Sequence, residues 1–380
     1  MWYPEFKHFG MEEILSVAGG LMFVVLIIYY FLSYWPAAAL KTAHSTPNSS
    51  KEPVSVIICA RNEDENLTEF LPKILTQNYP EYEVLVVNDC SFDNTETVID
   101  EFAKIFPNLK KVNIKEDAYY KHGKKFAVMV GIKGAKYENL VFTDADCYPS
   151  SDNWLSEMAS AFSTQKEVVL GYGAYIKTKG FLNTLIRFDS FLIALEYLSA
   201  AMKGKAYMGV GRNLGYKKSL FFKHKGFSSH YHITSGDDDL FVNEAATKDN
   251  VNVCLSHDAV TYSKAKTKFA DWRRQKVRHL TTAPHYNPAS RLKIGLSFFI
   301  KYLFYLTLGV LFCLKGTVLV GLGLFFLKII FQMIIFNKAA KKFNEPDLWS
   351  LAFVYEFVLL IVYPIFHIAK MFHKPNKWTN

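Results

Sequence analysis

The chain has 380 residues, half of them hydrophobic, and a formal net charge of +9. The apolar residues are unevenly spread and include several long apolar segments. The excess of Lys and Arg is therefore explained more simply by attraction to anionic lipid than by nucleic-acid binding. The five cysteines form no Cys-x-x-Cys pair, which argues against a zinc site or a disulfide framework.

Four apolar segments each approach the roughly 20 residues that a helix needs to span a bilayer. They are Leu15–Trp35, Ile294–Leu314, Thr317–Phe336 and Leu351–Ala369. Acidic residues precede the first segment, and no small-residue cleavage site stands out after it. We therefore expect an uncleaved anchor and not a signal peptide.

The charges beside the first segment predict its orientation. Lys41 and Lys51 follow it, whereas Glu5, Glu12 and Glu13 precede it. The positive-inside rule then places the N-terminus outside and the central region in the cytosol. We expect an integral protein of a bacterial inner membrane with a cytoplasmic central domain.

The basic C-terminal tail fits this orientation poorly. Lys370, Lys374 and Lys377 would lie outside after four complete spans. Either the rule is overridden there, or one late segment lies in the membrane interface. The expected layout is an anchor segment 1–40, a polar linker 41–52, a soluble domain 53–290 and C-terminal membrane helices 291–380.

The first half of the soluble domain alternates between strand and helix signals. Strands are predicted at Val54–Ala60, at Glu83–Val87 and in the apolar run that ends at Asp144. Helices are predicted after the capping residue Asn66 and over Thr97–Phe106 and Lys125–Ala135. This alternation predicts an α/β fold, a mostly parallel sheet with covering helices.

The second half of the domain is less regular. Val168–Tyr175 is predicted as a strand. Phe181–Met202 is either an amphipathic helix near the membrane surface or a core helix. Tyr207–Leu214 is glycine-rich and could let the backbone approach a ligand closely. Ser235–Leu240 is a dense carboxylate cluster that opens a helix.

Asp144 and Asp146 follow the buried run at 140–143 and are one residue apart. In an extended backbone, residues i and i+2 point to the same side. The carboxyl edge of an open α/β sheet is also where ligands bind. Two oxygen ligands there suit Mg²⁺ or Mn²⁺ carrying a diphosphate. The alternative is an acidic turn that caps the next helix.

Six motifs in order resemble a membrane-bound family 2 glycosyltransferase with a Rossmann-like GT-A fold, a group that includes polysaccharide synthases. The resemblance covers roughly residues 53–280. The motifs are Ser55–Glu63, Val87–Asp89, Gly123-Lys124, Thr143–Asp146, Gly236–Leu240 and Gln275–Arg278.

The resemblance implies a nucleoside diphosphate sugar donor and a lipid-linked or saccharide acceptor, with membrane lipids as further partners and no nucleic acid. Asp146 would hold the metal, and Asp144 would assist it and lie nearer the ribose. The remaining donor-binding residues would be Ala60, Arg61, Glu63, Asp89, Lys124, Gln275 and Arg278. Acceptor-binding residues would be Arg212, Asn213 and His279.

The resemblance also implies inversion by direct displacement, with an Asp as general base. Alignment on Leu240 selects Asp237 as that base, and a shift of one residue selects Asp238. The alternative is an acidic helix N-terminus. Processive members carry Gln-x-x-Arg-Trp, and His279 stands here in place of the Trp. Single transfer is therefore favoured over a processive synthase, with a non-catalytic membrane scaffold as a third hypothesis.

Overall fold

The computed structural model describes residues 10–40, 52–115 and 123–372. Nearly all of the predicted linker 41–52, including Lys41 and Lys51, lies outside these ranges, as do Lys374 and Lys377.

A seven-stranded sheet forms the centre of the soluble domain. Its order is β3-β2-β1-β4-β8-β6-β9, and the four strands from β3 to β4 are parallel. These strands are β1 (Val54–Ala60), β2 (Tyr82–Asp89), β3 (Leu109–Ile114), β4 (Asn139–Asp144), β6 (Val168–Leu170), β8 (Leu214–Lys217) and β9 (Val251–Val253). A small second sheet, ordered β5-β10-β7, contains β5 (Cys147–Pro149), β7 (Gly173–Tyr175) and β10 (Thr261–Ser263).

The predicted strands 54–60, 83–87 and the one ending at Asp144 are confirmed. They were recognisable because parallel strands buried on both faces are rich in Val, Ile and Leu. The single strand predicted over Val168–Tyr175 is wrong. Gly171 and Tyr172 interrupt the strand, so that β6 belongs to the large sheet and β7 belongs to the small one. The sequence did not predict strand β3, because this strand lies at the sheet edge and half of its residues, LKKVNI, are polar.

Helices cover both faces of the sheet. They are α3 (Asp64–Leu75), α4 (Thr95–Ile105), α5 (Lys124–Gly134), α6 (Trp154–Ser160), α7 (Phe181–Met202), α8 (Lys218–Lys223), α9 (Asp239–Ala245) and α10 (Phe269–Leu280). The cap predicted at Asn66 is wrong. Helix α3 begins at Asp64, and the Asn66 side chain donates a hydrogen bond to Glu63 within the first turn.

Within the described residues, four helices are long and apolar enough to cross a membrane. They are α1 (Met11–Ser33), α11 (Pro288–Cys313), α12 (Val318–Lys342) and α13 (Ala352–Met371), and a short α2 (Trp35–Ala38) follows α1. The predicted layout of one N-terminal and three C-terminal apolar helices is thus confirmed as candidate spans. Helix α11 begins at Pro288, slightly before the predicted boundary at residue 290.

Helix α7 joins the soluble domain to the apolar helices, and 15 of its residues are buried, which favours the core alternative. Ion pairs made by three of its residues fix it in place. Arg187 forms ion pairs with Glu345 and Asp347, Asp189 pairs with Lys276, and Glu196 pairs with Lys301. Charges removed from water are tolerated when they are paired in this way.

Candidate active site

The loops after β1 and β2 meet at the carboxyl edge of the sheet. Asn62 and Cys90 follow these strands with φ of 57° and 54°, the left-handed region that non-glycine residues rarely adopt. The Asn62 amide N–H donates to Ser91 Oγ at 2.9 Å, and its side-chain oxygen accepts from the Phe92 amide at 3.0 Å. The two loops are therefore hydrogen-bonded to each other at the carboxyl edge of the sheet.

The residues predicted for the nucleotide pocket lie at this edge. Ala60 and Asp89 are fully buried, and Arg61 Nη1 lies 3.8 Å from Asp89 Oδ2. The Glu63 amide donates to Thr95 Oγ1 at 2.8 Å. These contacts set the shape of the loops and leave the Arg61 side chain partly exposed.

Asp144 and Asp146 lie close together, but not through the expected extended geometry. Asp144 ends β4, and Asp146 lies in a two-residue turn that leads into β5. The ligand atoms of Asp144, Asp146 and Cys147 all lie within 4.8 Å of one another. Burial, and then the charge of Asp144, raise the pKa of Asp146. Two converging carboxylates are a donor set that fits Mg²⁺ or Mn²⁺.

Lys124 connects this pair to the second acidic cluster. Its ammonium lies 2.7 Å from Asp144 Oδ1 and 3.5 Å from Asp237 Oδ2. Burial lowers the pKa of Lys124, but the carboxylates of Asp144, Asp237 and Asp238 outweigh burial and hold that pKa well above its usual range. Lys124 therefore stays charged and brings the two motifs to one point.

The basic groups also act on Asp144. Burial raises the pKa of this carboxyl, but Lys124, followed by the guanidinium groups of Arg212 and Arg278, outweighs burial and lowers it. Asp144 is thus ionised at neutral pH, as a metal ligand must be.

The three consecutive aspartates have different environments. Asp239 is buried and accepts hydrogen bonds from the Thr282 hydroxyl and, at 2.6 Å, from the Tyr286 hydroxyl. Asp238 accepts from the amides of Gly211 and Asp239, each at 2.7 Å. Burial, together with the charges of its two neighbours, raises the pKa of Asp238 to about 7. Asp237, in the part of the chain described, contacts Lys124 and accepts no hydrogen bond.

The side chains of Arg212 and Asn213 make contacts within the protein that stabilise the site. Arg212 donates to Ser263 Oγ at 2.7 Å and stacks on Tyr175, with the guanidinium carbon 4.1 Å from the ring centroid. Asn213 is fully buried, and its amide bonds to Trp154 Nε1 and to the carbonyl oxygens of Tyr172 and Ala259. The Asn213 side chain is therefore engaged within the protein, and it does not offer a free group to an acceptor.

Helix α10 carries the last motif. Gln275 Nε2 lies 3.4 Å from the Tyr175 hydroxyl, and Tyr175 stacks on Arg212. Arg278 and His279 are exposed at the end of this helix. Trp272 is 1% exposed and packs against Phe366, with ring centroids 5.1 Å apart, so it is a core residue.

Three contributors to the site were not found from the sequence. Cys147 is the third potential metal-ligating side chain, and its position directly after Asp146 was the available signal. Tyr175 links Arg212 to α10, and the ion pair between Lys276 and Asp189 fixes that helix. No local pattern in the sequence indicates these long-range contacts.

Residues 55–224 match the family model for glycosyl transferase family 2. These residues form a family 2 glycosyltransferase domain. Curated relatives include a poly-β-1,6-N-acetyl-D-glucosamine synthase of Staphylococcus epidermidis, 33% identical over 126 residues that cover 33% of this chain and 29% of that protein. Glycosyltransferase AglE of Haloferax volcanii is 34% identical over 141 residues, which cover 36% of this chain and 44% of AglE. The chain thus aligns with less than half the length of either relative.

Among solved structures, a mannosyltransferase from Pyrobaculum calidifontis in complex with GDP-Man and Mn²⁺ is similar in fold. The TM-score is 0.56 at 17% identity, and the alignment covers 92% of this chain and 99% of that one. This likeness extends over the apolar helices as well as the glycosyltransferase domain. It confirms the predicted GT-A fold.

Proposed function

We propose that the protein is a membrane-bound inverting glycosyltransferase that moves one sugar from a UDP- or GDP-sugar to a lipid-linked or other membrane-proximal acceptor. One observation carries the proposal. Lys124 bridges Asp144 of the carboxylate pair and Asp237 of the acidic cluster, so a donor diphosphate and an acceptor hydroxyl would meet at one point.

In this proposal, Asp89, Ala60, Arg61 and Glu63 form the nucleotide pocket. Asp144 and Asp146 would hold Mg²⁺ or Mn²⁺, which supplies charge stabilisation to a leaving diphosphate. Side chains add to this stabilisation: Lys124 acts as a point charge, and Arg278 can pair with phosphate in a bidentate manner. Gln275 anchors the helix that presents Arg278.

The base is proposed to be Asp237. Its carboxylate takes the proton of the acceptor hydroxyl, the oxygen attacks the anomeric carbon, and the bond to the diphosphate breaks with its electron pair leaving on the nucleotide. Asp238 is the alternative because a pKa of about 7 suits a base at neutral pH. We favour Asp237, because backbone amides already occupy both carboxylate oxygens of Asp238.

The acceptor is proposed to approach from the membrane side, past the exposed His279. Helix α7 forms an ion pair with α11, and helix α10 packs against α13, so the site is held near the apolar helices. The proposed layout keeps the boundaries 1–40, 41–52, 53–290 and 291–380, with the glycosyltransferase domain in the cytosol of a bacterial cell.

A processive polysaccharide synthase is the second candidate. It is favoured by the likeness to the poly-β-1,6-N-acetyl-D-glucosamine synthase. It is disfavoured by His279, which offers a smaller stacking face than the Trp of processive members. Product length on a gel separates the two candidates, since a processive enzyme yields polymer at the first turnovers and a single-transfer enzyme yields one added sugar.

A screen of UDP- and GDP-sugars for thermal stabilisation, with and without Mn²⁺, tests the proposal. A ligand at 100 times its dissociation constant adds about 2.7 kcal/mol to the free energy of unfolding. We expect at least one nucleotide sugar to raise Tm in a metal-dependent manner. A flat response to every donor would favour the non-catalytic scaffold.

A further inference from the structure

Helix α13 has the length of a membrane span, about 30 Å at 1.5 Å per residue, yet both of its ends lie against the glycosyltransferase domain. Just before it, Asn344 Nδ2 donates to the Tyr262 hydroxyl at 2.9 Å, and Asp347 accepts two hydrogen bonds of 2.8 Å from Arg187. At its other end, Lys370 Nζ donates to the carbonyl oxygen of Leu280 at 2.7 Å. A helix that crosses a bilayer cannot have both ends on one soluble domain.

The side of α13 also follows the domain along its length. The Tyr355 ring packs against Phe188 of α7, with centroids 5.5 Å apart. The Tyr363 hydroxyl donates to Asp189 of α7 at 2.6 Å. Phe366 packs against Trp272 of α10. One side of α13 thus contacts α7 and α10 over the twelve residues from Tyr355 to Phe366.

Helices α1, α11 and α12 behave differently, because they pack side by side, with α11 antiparallel to both α1 and α12. Near the soluble domain, the Tyr29 hydroxyl lies 2.6 Å from Ser297 Oγ of α11. Ten residues further from the domain, Gly19 faces Leu311 of α11 and Leu324 of α12. These three helices carry the chain away from the domain and back again.

The opposite face of α13 is apolar and exposed. Phe357, Ile361, Ile365 and Ile368 are 44 to 58% exposed and follow helical spacing, so they form one stripe. This stripe adjoins the apolar surface of α11, where the Tyr302 hydroxyl donates to the carbonyl oxygen of Leu360. The occupant that fits an apolar stripe continuous with membrane-spanning helices is the acyl region of the adjoining lipid leaflet.

We propose that α13 lies along the membrane interface, in the leaflet next to the glycosyltransferase domain, and does not cross. The chain then crosses the membrane three times, and its C-terminus lies on the same side as the domain. This placement also puts Lys370, Lys374 and Lys377 on the side that the positive-inside rule requires. The proposal concerns topology and does not depend on transfer activity.

Epitope tags in intact cells test this placement. One tag follows residue 380, one is inserted at residue 45, one precedes residue 1, and one is inserted between Lys315 and Gly316, in the turn between α11 and α12. We expect the tags at 45 and 380 to share one side, and those at the N-terminus and at 315 to share the other. The pairing is decisive, whichever side faces the cytosol. A C-terminal tag that pairs with the N-terminal tag overturns the proposal.

The depth of the apolar stripe in lipid provides a second test. Spin labels on Phe357→Cys and Ile368→Cys, in a Cys313→Ser background, are compared for quenching depth in vesicles. Eleven residues separate the two positions, about 16 Å along a helix. We expect their depths to differ by less than about 5 Å, because a helix that lies in the plane of the membrane keeps both labels at a similar depth. On a helix that crosses, the same two positions would differ by about 16 Å.

Helix α12 offers a matched control. Leu319 and Ile330 are also eleven residues apart and exposed on the apolar surface. Labels at these positions should differ in depth by most of the 16 Å rise, because α12 crosses. If the α13 pair differs as much as the α12 pair, the in-plane placement is wrong.

Discussion

The identity of the base is the most demanding prediction. Asp237→Asn keeps the size of the side chain and removes its ability to accept a proton at neutral pH. Because Asp237 contacts Lys124 at 3.5 Å, whereas Asp144 contacts it at 2.7 Å, the stronger pair remains in the variant. Donor binding should therefore survive. Transfer should fall by roughly 10²–10⁴-fold, about 3 to 5 kcal/mol in the activation barrier.

Asp238→Asn is the matched comparison. Its carboxylate accepts two backbone hydrogen bonds, and an amide can accept with only one of its two terminal atoms. The loss should appear as a lower Tm, equivalent to about 1–3 kcal/mol, with less than a tenfold fall in transfer. Single-turnover transfer and donor binding by calorimetry are measured for both variants. The reverse ranking would make Asp238 the base, and unchanged transfer in both would refute the mechanism.

Three further predictions concern the metal, the packing and the pH dependence. Asp146→Ala should abolish the Mn²⁺-dependent part of UDP or GDP binding in calorimetry, and parent-like binding would show that the metal assignment is wrong. Gly131→Ala should lower the free energy of unfolding by about 1–3 kcal/mol, because the new Cβ would lie 2.8 Å from Ile57 Cγ2. Gly295→Ala, whose Cβ would meet no heavy atom within 4 Å in the part of the chain described, should not lower Tm. The pKa of Asp238 is raised to about 7 in the folded state, so the folded state binds the proton of this carboxyl more tightly than the unfolded state does. The free energy of unfolding should therefore fall as the pH rises from about 4 to 7. Asp238→Asn should flatten that fall in Tm, and an unchanged slope would assign it to another group.

Much of the fold is predictable because the parallel strands are buried on both faces and ended by polar residues. Val54–Ala60 and the run before Asp144 carry that signal in their own residues. Strand β3 does not, since an edge strand needs little apolar surface. The split of Val168–Tyr175 depends on two sheets that meet only in three dimensions, so no local pattern shows it.

The site residues that belong to a sequence motif could be predicted from the sequence. Residues that reach the site only through long-range packing could not. The motifs located Asp144, Asp146 and Lys124, and the structure brings their side chains together. Asn213 belongs to a glycine-rich segment that suggested ligand contact, but its amide is engaged within the core. The placement of α13 was open for the same reason, since its sequence is as apolar as that of a span, and only contacts at both ends reveal its course.

The central claim is that this site transfers a sugar from a nucleotide sugar. The most direct measurement is the release of UDP or GDP from the donor identified by thermal stabilisation, in membranes that contain the parent protein or the Asp146→Ala variant at equal amounts. The account predicts Mn²⁺- or Mg²⁺-dependent release with the parent and near-background release with the variant. Equal release from both, or none from the parent with any common donor, would contradict it.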